Sequence, residues 1–176
     1  MGLDVSAWRH LSERRNAPDD ADVVHVYATH HFPGRTEGLV DGCYEGERLT
    51  DWAPYGRFFS CGPYSHYGEW REWLAQLAGY PQTEHPDPRC RGTERLHIAG
   101  AWIATAGPFR ELLDFFDNEG EIGPVVSAKL ARDFAEWDTR ALASVSGDAS
   151  DWRYRLFCNF RRAFDWAADD GCVEFH

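Results

Sequence analysis

The chain has 176 residues, 43% hydrophobic and 15% aromatic, with a formal net charge of −11. Its length and apolar content exclude a disordered chain and give a single domain, residues 1–176, room for a real core. The negative charge argues against non-specific nucleic-acid binding, which needs Lys and Arg against phosphates, and against docking on an anionic membrane.

Eight tryptophans, seven tyrosines and eleven phenylalanines can build both a core and stacking pockets. Five cysteines, an odd number with no CxxC spacing, fit a reducing compartment better than a disulfide framework. No apolar run reaches the length of a membrane span and no signal peptide precedes the domain, so a cytoplasmic location is expected.

Residues 4–15 read as an opening strand or helix. Residues 22–29 (DVVHVYAT) are β-rich and read as a strand, as do 39–46 and 57–61, with 50–55 as a connection. A helix follows, with Ser65 as N-cap. Trp70, Trp73, Leu74 and Leu77 recur at helical spacing, and Gly79 and Pro81 close it. Residues 81–94 are polar and proline-bearing without periodicity, so 81–107 reads as a flexible or variable loop region. Phe109, Leu112, Leu113 and Phe116 predict a helix after Pro108. Pro124 opens another, with Val126, Leu130, Phe134, Trp137 and Ala141 on one face. A last helix starts near Ser150, buries Trp152, Leu156, Phe160 and Phe164, and ends at Gly171 before a terminal strand, 172–175. The fold class expected is α+β: a small, mostly antiparallel sheet packed by about four helices.

Between two of these helices, 117–123 reads as a tight acidic turn carrying Asp117, Glu119 and Glu121. Such a turn either meets a cation or is well solvated. With Gly120 at the glycine position of a calcium loop, Phe115 and Val126 stand where carboxylates are required, so that reading fails. A looser Mg²⁺ or Mn²⁺ site using Asp117, Glu119 or Glu121, an arginine partner or a ligand amine stay open for the turn.

Several segments resemble a family of small bacteriophage- and prophage-encoded proteins with no established chemistry. They are Met1-Gly2-Leu3-Asp4, Gly42-Cys43-Tyr44, Tyr64-Ser65-His66-Tyr67 with Trp70-Arg71, residues 116–124 with Ser127-Ala128-Lys129-Leu130, and residues 170–176. The resemblance implies a phage context, with action on the host or against its defences, and leaves the mechanism open.

The segment 57–71, RFFSCGPYSHYGEWR, is the leading ligand-site candidate. A helix start offers free N–H groups to an anion. Arg57 and Arg71 supply bidentate donors. Tyr64, His66, Tyr67 and Trp70 supply faces for a base, and Ser65 a hydroxyl. Asp117 and Glu119 complete the set if the turn lies near. The alternative is that Trp70 and the tyrosines are core. His30 and His31 lack the spacing of a zinc site. His176 is of interest only if the last strand carries it back into the sheet. No GxSxG, Walker loop or GxGxxG occurs.

The expected function is sequestration of a small anionic, nucleotide-like ligand, such as a host defence signal, without a cofactor, a metal or chemistry. A metal-assisted hydrolase of phosphoesters or nucleotides is the alternative, and an acidic inhibitor of a host protein the third reading. Homo-oligomers are left open.

Overall fold

The computed structural model describes residues 2–14, 26–28, 42–54, 56–87, 92–115 and 120–176. It is α+β, as expected, with antiparallel pairing throughout the described strands.

The opening segment is a strand, β1 (Gly2–Arg14), and it organises the sheet. Leu3, Val5 and Ala7 alternate toward the core and are fully buried. Strands β3 (Gly42–Arg48) and β4 (Phe59–Pro63) pair with its second and first halves, and β8 (Cys172–Phe175) runs along its other side. Short strands extend both ends: β2 (Val26–Ala28) beyond β3, and β7 (Gly120–Ile122) beyond β8. Of the strand expected at 22–29, only 26–28 is described.

Three helices cover one face. In α1 (Tyr64–Leu77), Trp70, Trp73 and Leu74 are buried, as their spacing predicts. Helices α4 (Pro124–Ser144) and α5 (Trp152–Ala167) pack on each other. Their contact is aromatic: Phe134 meets Phe157 at 4.7 Å and Phe164 at 5.8 Å. Phe160 then reaches Phe175 of β8 at 6.1 Å. Each such side chain contributes roughly 1.5–3 kcal/mol by leaving water. Trp152, expected in this core, is only half-buried.

Four expectations need correction. Ser65 is not a cap: α1 begins at Tyr64, two residues earlier than a Ser65 cap requires, with Pro63 in the N-cap position and no side-chain cap. Residues 81–107 are not a loop. They hold a hairpin, β5 (Thr83–Asp87) and β6 (Gly92–Leu96), followed by α2 (His97–Ile103). The Glu72 carboxylate on α1 accepts the N–H groups of His97 and Ile98 at 2.9 Å each, so α2 is capped from another helix. The helix predicted from Phe109 is a single turn, α3 (Arg110–Leu113), and Phe109, with a left-handed φ of 57°, stands just before it as the N-cap residue. Finally, 120–122 is no part of a turn: it is β7, and Glu121 is 6% exposed. Asp117, Asn118 and Glu119 lie outside the described residues, as do His30, His31 and Phe116.

Among the described residues no helix is long and apolar enough to cross a membrane.

Candidate anion-binding cleft at the start of α1

Strand β4 turns directly into α1. Gly62 has φ +76°, a conformation open to glycine, and a Cβ there would stand 3.2 Å from His66 Nδ1. The glycine therefore does two things: it makes the turn and lets the imidazole close over it. Pro63 follows, then the first helical turn, Tyr64-Ser65-His66. With no side-chain cap, the leading N–H groups of a 14-residue helix keep their positive end available.

Helix α5 begins alongside. Its own N-terminus is closed by Asp151, which accepts from Arg153 N–H at 2.8 Å and also holds the Arg153 guanidinium. Two contacts one turn apart lock α1 to this end of α5. The His66 and Trp152 rings stack at 3.9 Å with an 18° tilt. Trp70 Nε1 donates to the Arg153 carbonyl at 3.0 Å.

Between the elements lies a cleft of about 270 Å³, lined by Ser60, Cys61, Gly62, His66, Trp152, Arg155, Leu156 and Asn159. That is just under the roughly 300–1,000 Å³ of typical small-molecule pockets. The α5 contributors fall at i, i+3, i+4 and i+7, one helix face. Among the described residues, Arg155 and Asn159 make no side-chain hydrogen bond or ion pair. Burial, with the charge of Asp4 adding, pushes the Cys61 thiol well above the ordinary range, which disfavours the nucleophilic thiolate.

Of the described residues chosen from sequence, only His66 lines this cleft. Tyr64 and Ser65 are exposed on the first turn of α1. Tyr67 and Trp70 are core, 4% and 0% exposed. Arg57 lies three residues before Ser60, and its carbonyl accepts from Ser6 Oγ at 3.4 Å. Arg71 is a brace: it donates to the Phe115 carbonyl at 2.9 Å and lies 5.0 Å from the Tyr67 ring. It thus ties α1 to the segment entering 116–119, while Asp117 and Glu119 themselves lie outside the described residues. Sequence reasoning missed Trp152, Arg155 and Asn159. The signal was their helical spacing on α5, hidden because Trp152 and Leu156 also fit an apolar stripe.

Among the described residues, no cluster of three or more His, Cys, Asp or Glu is placed to hold a metal ion. Cys61, Cys158 and Cys172 are free thiols. Compared with known proteins, the chain matches no family model, no curated protein and no solved structure.

Proposed function

We propose that the protein captures a small phosphate-bearing, nucleotide-like ligand in the α1 cleft and holds it without chemistry. The observation that carries this reading is the meeting of Gly62 and His66, at the turn into an uncapped helix, with Arg155 and Asn159, two side chains without polar partners among the described residues, in one cleft. The helix end and the guanidinium suit a phosphate. Asn159 offers a donor and an acceptor to a base edge or sugar hydroxyl. The His66–Trp152 pair offers an aromatic surface, and stacking on such surfaces contributes roughly 1–3 kcal/mol per base. The protonated Cys61 thiol favours holding over reacting. Together with the resemblance to phage proteins, this points to a ligand of the class of a host nucleotide signal.

Calorimetric titration with adenosine monophosphate, ribose 5-phosphate and inorganic phosphate tests it, with chromatography of the recovered ligand. Binding of the mononucleotide, recovered intact and weakened in Arg155→Ala, supports capture. Turnover of the ligand, or no binding by any of the three, overturns it.

A further inference from the structure

The face of the sheet opposite α1, α4 and α5 is built differently from a solvated face. Alternation sends Leu3, Val5, Ala7, Ile122, Val173 and Phe175 into the core, which leaves Ser6, Trp8, Glu121, Glu174 and His176 on the opposite face. Yet Ser6 and Trp8 are each 2% exposed and Glu121 6%. Burying polar groups costs free energy unless their bonds are replaced, so their arrangement needs a reason.

Ser6 stands directly across from Glu174, and Glu174 across from Glu121, in one row over β1, β8 and β7. Ser6 Oγ lies 2.9 Å from His176 Nε2. The Glu174 carboxylate lies 3.7 Å from the same nitrogen and is held by Trp8 Nε1 at 3.0 Å. The Arg48 guanidinium stacks 4.2 Å over the Trp8 ring, and its buried Nε has no hydrogen-bond partner among the described residues. Burial lowers the pKa of Arg48, Glu174 raises it, and the nearby charge of Arg57 lowers it. A desolvated guanidinium with an unmet donor beside a second arginine is a place for an anionic group.

We propose that Ser6 is a nucleophile activated by His176, in a second site that acts on small esters carrying an anionic group. The site shares no residue with the α1 cleft and stands or falls separately from it. For this the Ser6 hydroxyl turns its one proton from the Arg57 carbonyl, 3.4 Å away, to Nε2, and the neutral imidazole carries its proton on Nδ1. Ser6 Oγ adds to the acyl carbon, the carbonyl electron pair moves onto its oxygen, and the hydroxyl proton passes to His176 Nε2. Collapse breaks the bond to the alcohol, which leaves with that proton, and acyl-Ser6 remains. Water then adds by the same proton route and releases the acid. Glu174 stabilises the imidazolium formed in between, from beside Nε2 rather than from behind Nδ1. Arg48 receives the substrate's anionic group. With Ser6 itself buried, approach is along His176, whose side chain is 42% exposed.

The test is a fluorophosphonate probe on the full chain, read by intact mass and peptide mapping. Ser6 Oγ displaces fluoride from phosphorus and its proton goes to His176. One adduct on Ser6 is expected, absent in Ser6→Ala and formed about 100-fold more slowly in His176→Gln. Both variants are first checked for an unchanged melting transition. Should either fail to fold, Arg48→Gln is the second arm: it lowers kcat/KM for a succinate half-ester more than for a neutral acetate ester. An adduct on any other residue, no adduct on folded protein, equal labelling of His176→Gln, or an equal effect of Arg48→Gln on both esters overturns the proposal.

Discussion

The Asp133 carboxylate on α4 accepts a hydrogen bond from the backbone N–H of Phe109 at 2.7 Å. Phe109 is the residue whose left-handed backbone breaks the chain between α2 and α3, and its ring is fully buried against Phe134 at 4.8 Å. Lys129 completes the arrangement, reaching Asp133 at 2.7 Å, Glu111 at 2.6 Å and the Gly107 carbonyl at 2.7 Å. The only lysine of the chain is thus a structural cation holding two carboxylates and a turn.

Asp133→Ala strands the Phe109 N–H and leaves Lys129 with one carboxylate. An unsatisfied buried donor costs about 1–3 kcal/mol, so the expected loss is about 2–3 kcal/mol, read as a lower urea midpoint. Burial raises the Asp133 pKa above the usual carboxylate value, against the bonds from Lys129 and Phe109. The folded state therefore holds this proton to higher pH than the unfolded chain does. Asp133's share of the stability falls as pH rises from the unfolded to the folded pKa. Asp133→Asn removes that acid-range slope, which stability measured across the interval reports.

Tyr80 gives a second pH signature, at the alkaline end. Its hydroxyl donates to the Pro108 carbonyl at 2.9 Å. Burial, with the charges of Glu111 and Asp133 adding, pushes the phenol up to about 12. In the unfolded chain it ionises near 10. Its contribution is complete below about pH 10 and is lost as pH rises to about 12. Spectrophotometric titration at alkaline pH is expected to lose one late-ionising tyrosine, that near pH 12, in Tyr80→Phe, and stability to decline less over the same interval.

Two glycines give opposite outcomes on the same substitution. A Cβ at Gly171 would overlap the Trp8 carbonyl and crowd Arg9 Cα, because the chain leaving α5 passes directly against β1. Gly171→Ala is expected to destabilise by about 3 kcal/mol or more, above the usual range for overpacking since backbone must move. Gly68, inside α1, faces open space. Gly68→Ala is expected to stabilise by about 0.5–1 kcal/mol through helix propensity. Denaturant unfolding of the pair checks both signs.

In the cleft, Gly62→Ala combines a strained φ with contact on His66. It is expected to disturb the His66–Trp152 stack, seen as a change in tryptophan fluorescence. Arg155 has no polar partner to lose among the described residues. Arg155→Ala is therefore expected to leave the melting temperature within about 2 °C while weakening phosphate-ligand binding by roughly 10–100-fold, the loss of a charge-assisted bond.

Helical periodicity along the chain determined α1, α4 and α5, because Trp70, Trp73 and Leu74, or Leu156, Phe160 and Phe164, carry their spacing locally. Gly171 and the alternation in 172–175 likewise marked the end of α5 and the last strand. The hairpin 83–96 was not legible, since most of its described side chains are exposed and leave no inward-outward alternation to read. Neither was β7, which is a strand only because β8 lies beside it. Phe109 kept the helical spacing yet took a left-handed backbone, held by Asp133 from another helix. The sites divide the same way. His66 could be chosen from its neighbours in sequence, but Arg155 and Asn159 joined it only through the docking of α5 on α1. Ser6 and His176 are separated by 170 residues and meet only because β1 and β8 pair. Periodicity is a property of neighbouring residues and can be read along the chain, whereas strand pairing and helix docking bring distant residues together and are decided only in the folded structure.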